Sequence, residues 1–141
     1  MRFVITSHPA EGSQPHGAPP DEKTMIAYMK YNEEMHNAGV LVAAEGLIPG
    51  APGARVGVSG GKRKVLDGPF TESKEMVGGF YVIDVPSLEE AKKWALRCPT
   101  GLGSDDVLEI RRLTGSEDLP PQIIDIITSA APKWSATFTK K

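Results

Sequence analysis

The stretch Met76-Val77-Gly78-Gly79-Phe80-Tyr81-Val82-Ile83-Asp84-Val85 reads as the central strand of the fold. Residues 78–85 are apolar on both faces, with Phe80 and Val82 alternating against Tyr81, Ile83 and Val85. A strand buried on both sides needs two covering layers. The chain reaches it through Leu66-Asp67-Gly68-Pro69-Phe70-Thr71-Glu72-Ser73-Lys74-Glu75. Glycine admits unusual backbone angles, and proline lacks an N–H and restricts the residue before it, so Asp67-Gly68-Pro69 reads as a rigid turn. The hydroxyls, carboxylates and amine that follow this turn make the segment a candidate site.

Upstream, residues 2–7 read as a first strand, with Phe3 and Ile5 on one face and Val4 on the other, cut short at His8-Pro9. Residues 9–20 hold four prolines, two glycines and His16 and read as an exposed loop. Around Pro19-Pro20-Asp21-Glu22 a helix begins, with an apolar face of Met25, Tyr28, Met29, Met35 and Ala38, and Gly39 stops it. Residues 40–45 read as a strand buried on both faces, on which Glu45 is the exception. Residues 54–58 and 63–66 flank Ser59-Gly60-Gly61-Lys62 and predict a hairpin with a Gly-Gly turn.

Downstream, Ser87-Leu88-Glu89-Glu90 fits a capping box and opens a second helix whose stripe is Leu88, Ala91, Ala95 and Cys98, with Trp94 at its margin. Residues 107–113 predict a last strand, with Leu108 and Ile110 on one face and Glu109, Arg111 and Leu113 on the other. Residues 1–113 then form one domain, and 114–141 an appendage made of a short helix over about 120–130 and a polar tail.

The 141 residues fit a single domain with an ordinary core. A net charge of −2 from 16 basic and 18 acidic residues, with no long block of either sign, gives no footprint for nucleic acid or an anionic membrane. No apolar run approaches the roughly 18 to 20 residues of a membrane span. Met1-Arg2-Phe3-Val4-Ile5-Thr6-Ser7-His8 is too short for a signal peptide, and the single cysteine, Cys98, asks for no oxidising compartment. The expected location is the cytoplasm.

With the hairpin set aside, the order strand, helix, strand, strand, helix, strand predicts an α+β, ferredoxin-like βαββαβ domain with an inserted β-hairpin. Two helices cover one face of such a sheet, so the apolar residues of the other face need a partner. A second copy of the chain would supply it by packing sheet on sheet in a homodimer, unless the C-terminal appendage folds over that face instead.

Asp67-Gly68-Pro69-Phe70-Thr71-Glu72 with Lys74-Glu75, then Gly78-Gly79-Phe80-Tyr81-Val82-Ile83, Glu45-Gly46-Leu47 and Ala95-Leu96-Arg97-Cys98-Pro99 resemble the DGPF-motif proteins of the YCII-related family. The resemblance extends over about residues 1–113. It implies a dimeric α+β barrel of ferredoxin-like subunits, small cytoplasmic bacterial proteins mostly without an assigned reaction, and an association with the extracytoplasmic-function sigma factors beside which they are often encoded. In some relatives a histidine near the start of the first helix is proposed to work with an aspartate. Here the helix start is Pro20-Asp21-Glu22-Lys23, so that pairing does not carry over.

The chemistry-bearing residues each have a plain structural alternative. Asp67, held at a rigid turn, would serve as a general base or simply accept backbone N–H bonds. Glu45, at the end of an apolar strand, would need a partner such as Lys74 or Arg111, or would act as an acid in a cleft. Lys74 and Glu75 suit substrate binding or a solvated face, Phe70 is the apolar member of the same turn, and Arg111 suits a substrate carboxylate or an interface ion pair. His8, His16, His36 and Cys98 lack metal-ligand spacing, and Gly60-Gly61-Lys62 opens no helix, so neither a metal nor a cofactor is expected. Two readings stand. One is a homodimer that binds a small metabolite in its cleft, with a regulatory role. The other is a metal-independent isomerase or lyase using Asp67 and Glu45 as acid and base.

Overall fold

The computed structural model describes residues 1–8, 21–48, 53–68, 77–99 and 106–138. Its core is a four-stranded antiparallel sheet in the order β2-β5-β1-β6, built from β1 (Arg2–His8), β2 (Leu41–Gly46), β5 (Gly79–Asp84) and β6 (Val107–Arg112). The helices α1 (Glu22–Asn37) and α2 (Leu88–Leu96) follow β1 and β5. This is the ferredoxin-like split βαβ arrangement. Its inserted hairpin, β3 (Ala54–Ser59) with β4 (Lys62–Asp67), forms a separate two-stranded sheet. A 3₁₀ turn at Ser116–Asp118 leads to α3 (Pro121–Ala130) and α4 (Pro132–Phe138).

Local chemistry sets the element ends. Asp21 is the N-cap of α1 and accepts from the Thr24 N–H at 2.7 Å, a bond that also holds its carboxyl below the usual value. Gly39, at φ +72°, turns the chain off α1 in the left-handed region open to glycine. Ser87 caps α2 by accepting from the Glu90 N–H at 3.2 Å, while the Glu90 carboxylate pairs with Lys93 at 2.7 Å. Gly60 and Gly61 lie at φ +59° and +77°, the two left-handed positions of a type I′ hairpin turn.

The helices cover one face of the sheet, here termed inner. Phe3, Ile5, Ile83 and Val85 from the sheet are buried there against Tyr31 and Met35 of α1, Ala91 and Ala95 of α2, and Cys98. Tyr31 donates its hydroxyl to the Trp94 carbonyl at 2.7 Å and meets Tyr81 edge-on with ring centroids 5.6 Å apart. Burial pushes both phenols up from their usual 10.0.

Several expectations are corrected. The buried stripe of α1 runs through Tyr31 and Met35, whereas Met25 is 42% and Met29 51% exposed. β1 continues to His8, because β6 pairs with it as far as Val107. β2 is an edge strand and is not buried on both faces: Val42 is 55% exposed, and a bulge between Leu41 and Ala43 shifts its register on β5. Leu88 is exposed, leaving Ala91, Ala95 and Cys98 as the packed stripe of α2. The polar tail contains a second helix, α4, which packs against α3 and stacks Trp134 on Phe138 with centroids 5.3 Å apart.

Candidate ligand-binding face

Strand register defines the outer face, opposite the helices. Thr6 of β1 lies opposite Phe80 of β5 and Glu109 of β6, and Phe80 lies opposite Glu45 of β2. One row therefore reads Glu45, Phe80, Thr6, Glu109. The next reads Ala43, Val82, Val4, Arg111 by the same pairings. Val4, Thr6, His8, Phe80 and Val82 are half-buried, although neither α1 nor α2 lies on this side. Thr6 and His8, two apart on one strand, share the face. Their Oγ1 and Nε2 atoms are 2.8 Å apart in a hydrogen bond whose direction depends on the imidazole tautomer.

The candidate residues separate. Glu45 is exposed and, among the described residues, has no hydrogen-bond or ion-pair partner; its placement on an open edge strand removes the desolvation that would have required one. Arg111 stands on the opposite edge strand, three strand spacings or about 14 Å away. Its guanidinium Nε lies 3.9 Å from Glu109. Asp67 ends the hairpin strand β4 opposite Ala54 and is exposed. The adjoining Gly68 N–H donates to the Gly53 carbonyl at 2.6 Å and closes the base of the hairpin. Phe70, Lys74 and Glu75 lie outside the described residues, as does the rest of the turn from position 69 to 76.

Two neighbours fix the end of this face. Gly78 donates its N–H to the Ser7 carbonyl at 2.7 Å and accepts from the Leu47 N–H at 3.0 Å, tying β1 to the exit of β2. Beside it, a Cβ on Gly79 would come within 2.8 Å of the Glu45 carbonyl oxygen, so only glycine lets the two strands approach. The Thr6–His8 pair is the feature that reading the sequence missed. Its signal was the two-residue alternation of β1, which puts positions 4, 6 and 8 opposite Phe3 and Ile5. Among the described residues no group of three or more His, Cys, Asp or Glu side chains is disposed to hold a metal ion, and no helix is long and apolar enough to cross a membrane.

The YCII-related domain matches residues 1–114, which takes in the whole four-stranded sheet and the hairpin. The chain belongs to the YCII-related family. A YCII relative, the uncharacterized protein R00369 of Rhizobium meliloti (strain 1021), is 36% identical over 93 residues, 66% of this chain and 75% of that protein. The structure of 5-chloro-2-hydroxyhydroquinone dehydrochlorinase (TftG) from Burkholderia phenoliruptrix AC1100, in complex with 2,5-dihydroxybenzoquinone, aligns over 85% of this chain and 100% of its own. That alignment has 19% identity and a TM-score of 0.41, too loose a likeness to inform the chemistry of this YCII protein.

Proposed function

We propose that this YCII protein is a cytoplasmic homodimer, a dimeric α+β barrel in which two outer faces oppose each other and enclose a cleft for a small metabolite, with a regulatory role. The observation that carries the reading is the composition of that face. Val4, Phe80 and Val82 make a half-buried apolar centre on the side away from α1 and α2, and Thr6, His8, Glu45, Glu109 and Arg111 stand around it. An apolar centre with a polar rim is the anatomy of a surface that meets a partner while leaving room for a ligand. In this reading residues 1–113 are the dimerising domain, residues 114–141 are an appendage, and a sigma factor is a partner for the dimer's remaining surface.

A second reading, the metal-independent isomerase or lyase, draws on the position of Glu45 in the same row as Thr6. There a carboxylate would face the enclosed space and, once desolvated by a second sheet, would become a proton acceptor of raised basicity. Asp67 would have to reach that space from the end of the hairpin.

Light scattering tests the assembly. The expected mass is twice the 15.1 kDa of one chain. Val82→Lys, which places a charge at the centre of the opposed faces, should shift the protein to a single chain. A monodisperse monomer for the unsubstituted protein overturns the proposal. Crystals soaked in a metabolite mixture address the ligand: density between the outer faces supports binding there, and density only at Asp67 moves the site to the hairpin.

A further inference from the structure

We infer that the outer face binds a single-ring carboxylate carrying a hydroxyl at its far end, the carboxylate at Arg111 and Arg2 and the hydroxyl at the Thr6–His8 pair. The inference rests on the proposal that a second copy covers this face, and it specifies what the resulting cleft holds.

The two ends of the face differ in charge. Val4 lies opposite Arg111, and Arg2, two residues before Val4, shares its side, so Arg2 and Arg111 are diagonal neighbours on β1 and β6. Asp84 lies opposite Arg2, but its carboxylate is engaged by the N-terminal ammonium at 3.2 Å. Glu109 comes nearest to Arg111 at Nε, 3.9 Å away, so it does not occupy the terminal nitrogens of the guanidinium fork. Such a fork binds a carboxylate in bidentate fashion.

The other end is a hydrogen-bonding site with negative surroundings. The 2.8 Å bond between Thr6 Oγ1 and His8 Nε2 leaves Nδ1 and the remaining hydrogen-bonding capacity of the hydroxyl for a ligand. Glu109 is opposite Thr6, and Glu45 stands in the same row beyond Phe80. An anion is repelled here and a neutral hydroxyl is accepted, so charge alone sets the ligand's direction. Between the ends Val4, Val82 and Phe80 form an apolar floor, with the Phe80 ring available for offset or edge contact with a second ring. Four residues along β1 separate the Arg111 level from His8, about 13 Å of strand. The arginine side chain folding inward takes up part of that span and leaves the length of one substituted ring.

The probe is 4-hydroxybenzoate, titrated into the full-length protein while the His8 imidazole and Phe80 ring resonances are followed by NMR and the mass is read by light scattering on the same sample. Saturable shifts at both residues are expected. Affinity should fall about tenfold or more in Arg111→Gln, as for loss of a charge-assisted bidentate contact. Benzoate, lacking the hydroxyl, should bind more weakly to the unsubstituted protein and equally to Thr6→Val. A dimer that shows no saturable shift, or binding that is unchanged in Arg111→Gln, overturns the inference and leaves the dimer standing. A monomer that still gives the shifts keeps the site and overturns the opposed-face arrangement, while a monomer without them overturns both.

Discussion

On the inner face of β1 and β5, Phe3 and Ile83 are 2% and 0% exposed; on the outer face of the same two strands their neighbours Val4 and Val82 remain half-buried. The strands, register and residue types are alike. What differs is the helix layer: α1 and α2 bring Tyr31, Met35, Ala91 and Ala95 onto one side and nothing onto the other. Burial on the inner face is thus decided by the crossover connections that carry α1 and α2. The hairpin β3–β4 carries the contrast further, since Val56, Val58 and Val65 are all more than half exposed on a ribbon that, among the described residues, pairs only with itself.

Substitutions on the two faces test that contrast. The largest effect is expected for Ile83→Ala, which empties a fully buried position and should lower unfolding stability by about 2 to 5 kcal/mol in a denaturant titration. A loss under about 1 kcal/mol would mean that the inner face is not the core. Gly79→Ala should cost about 1 to 3 kcal/mol, because its Cβ meets the backbone of β2 rather than a movable side chain. A melting curve unchanged by that substitution would show β2 free to move away from β5.

Tyr31→Phe should cost about 1 kcal/mol through loss of the hydroxyl's bond to the Trp94 carbonyl, which keeps the Arg97 N–H as a second donor. The phenols of Tyr31 and Tyr81 give the inner face a pH signature. Both hold their protons above the pH at which an unfolded tyrosine, at 10.0, releases its own. Their contribution to stability is full below pH 10 and declines as the pH rises beyond it. Tyr31→Phe should flatten that alkaline decline, which chemical unfolding compared at about pH 9 and about pH 11, either side of the ordinary phenol value, would reveal. The smallest effect belongs to the outer face: Val82→Thr should cost less than about 1 kcal/mol in dilute protein and more as concentration rises. A concentration-independent cost would separate the outer face from any assembly.

The features carried by local chemistry were legible in the sequence. Ser87 announces α2, Gly39 ends α1, and Gly60-Gly61 fixes the hairpin turn, each through one or two residues whose backbone preferences act on their own neighbours. The stripe of α1 was misread because methionines at helical spacing outweighed Tyr31, whose burial depends on a hydrogen bond to Trp94, 63 residues away. The helix α4 was missed because Pro132-Lys133-Trp134-Ser135 is polar in composition, and its partner is another short helix rather than the main core. At the site, the separation of Glu45 from Arg111 follows from strand order, which no local signal encodes. The pairing of Thr6 with His8 required knowing that β1 runs past the point where Pro9 was expected to have ended it.

The bulge at Val42 bears on what the sheet's free border can do. β2 is an edge of the sheet, and an uninterrupted edge strand is a template on which another chain can add its own backbone hydrogen bonds without limit. Skipping one residue between Leu41 and Ala43 breaks the regular spacing of N–H and C=O groups along that border. The opposite border, β6, carries exposed charge at Glu109, Arg111 and Arg112, which penalises the same approach. Runaway, amyloid-like growth by strand addition is thereby blunted at both margins, and the proposed dimer, which joins sheets through their side chains, would be a closed assembly that uses neither border.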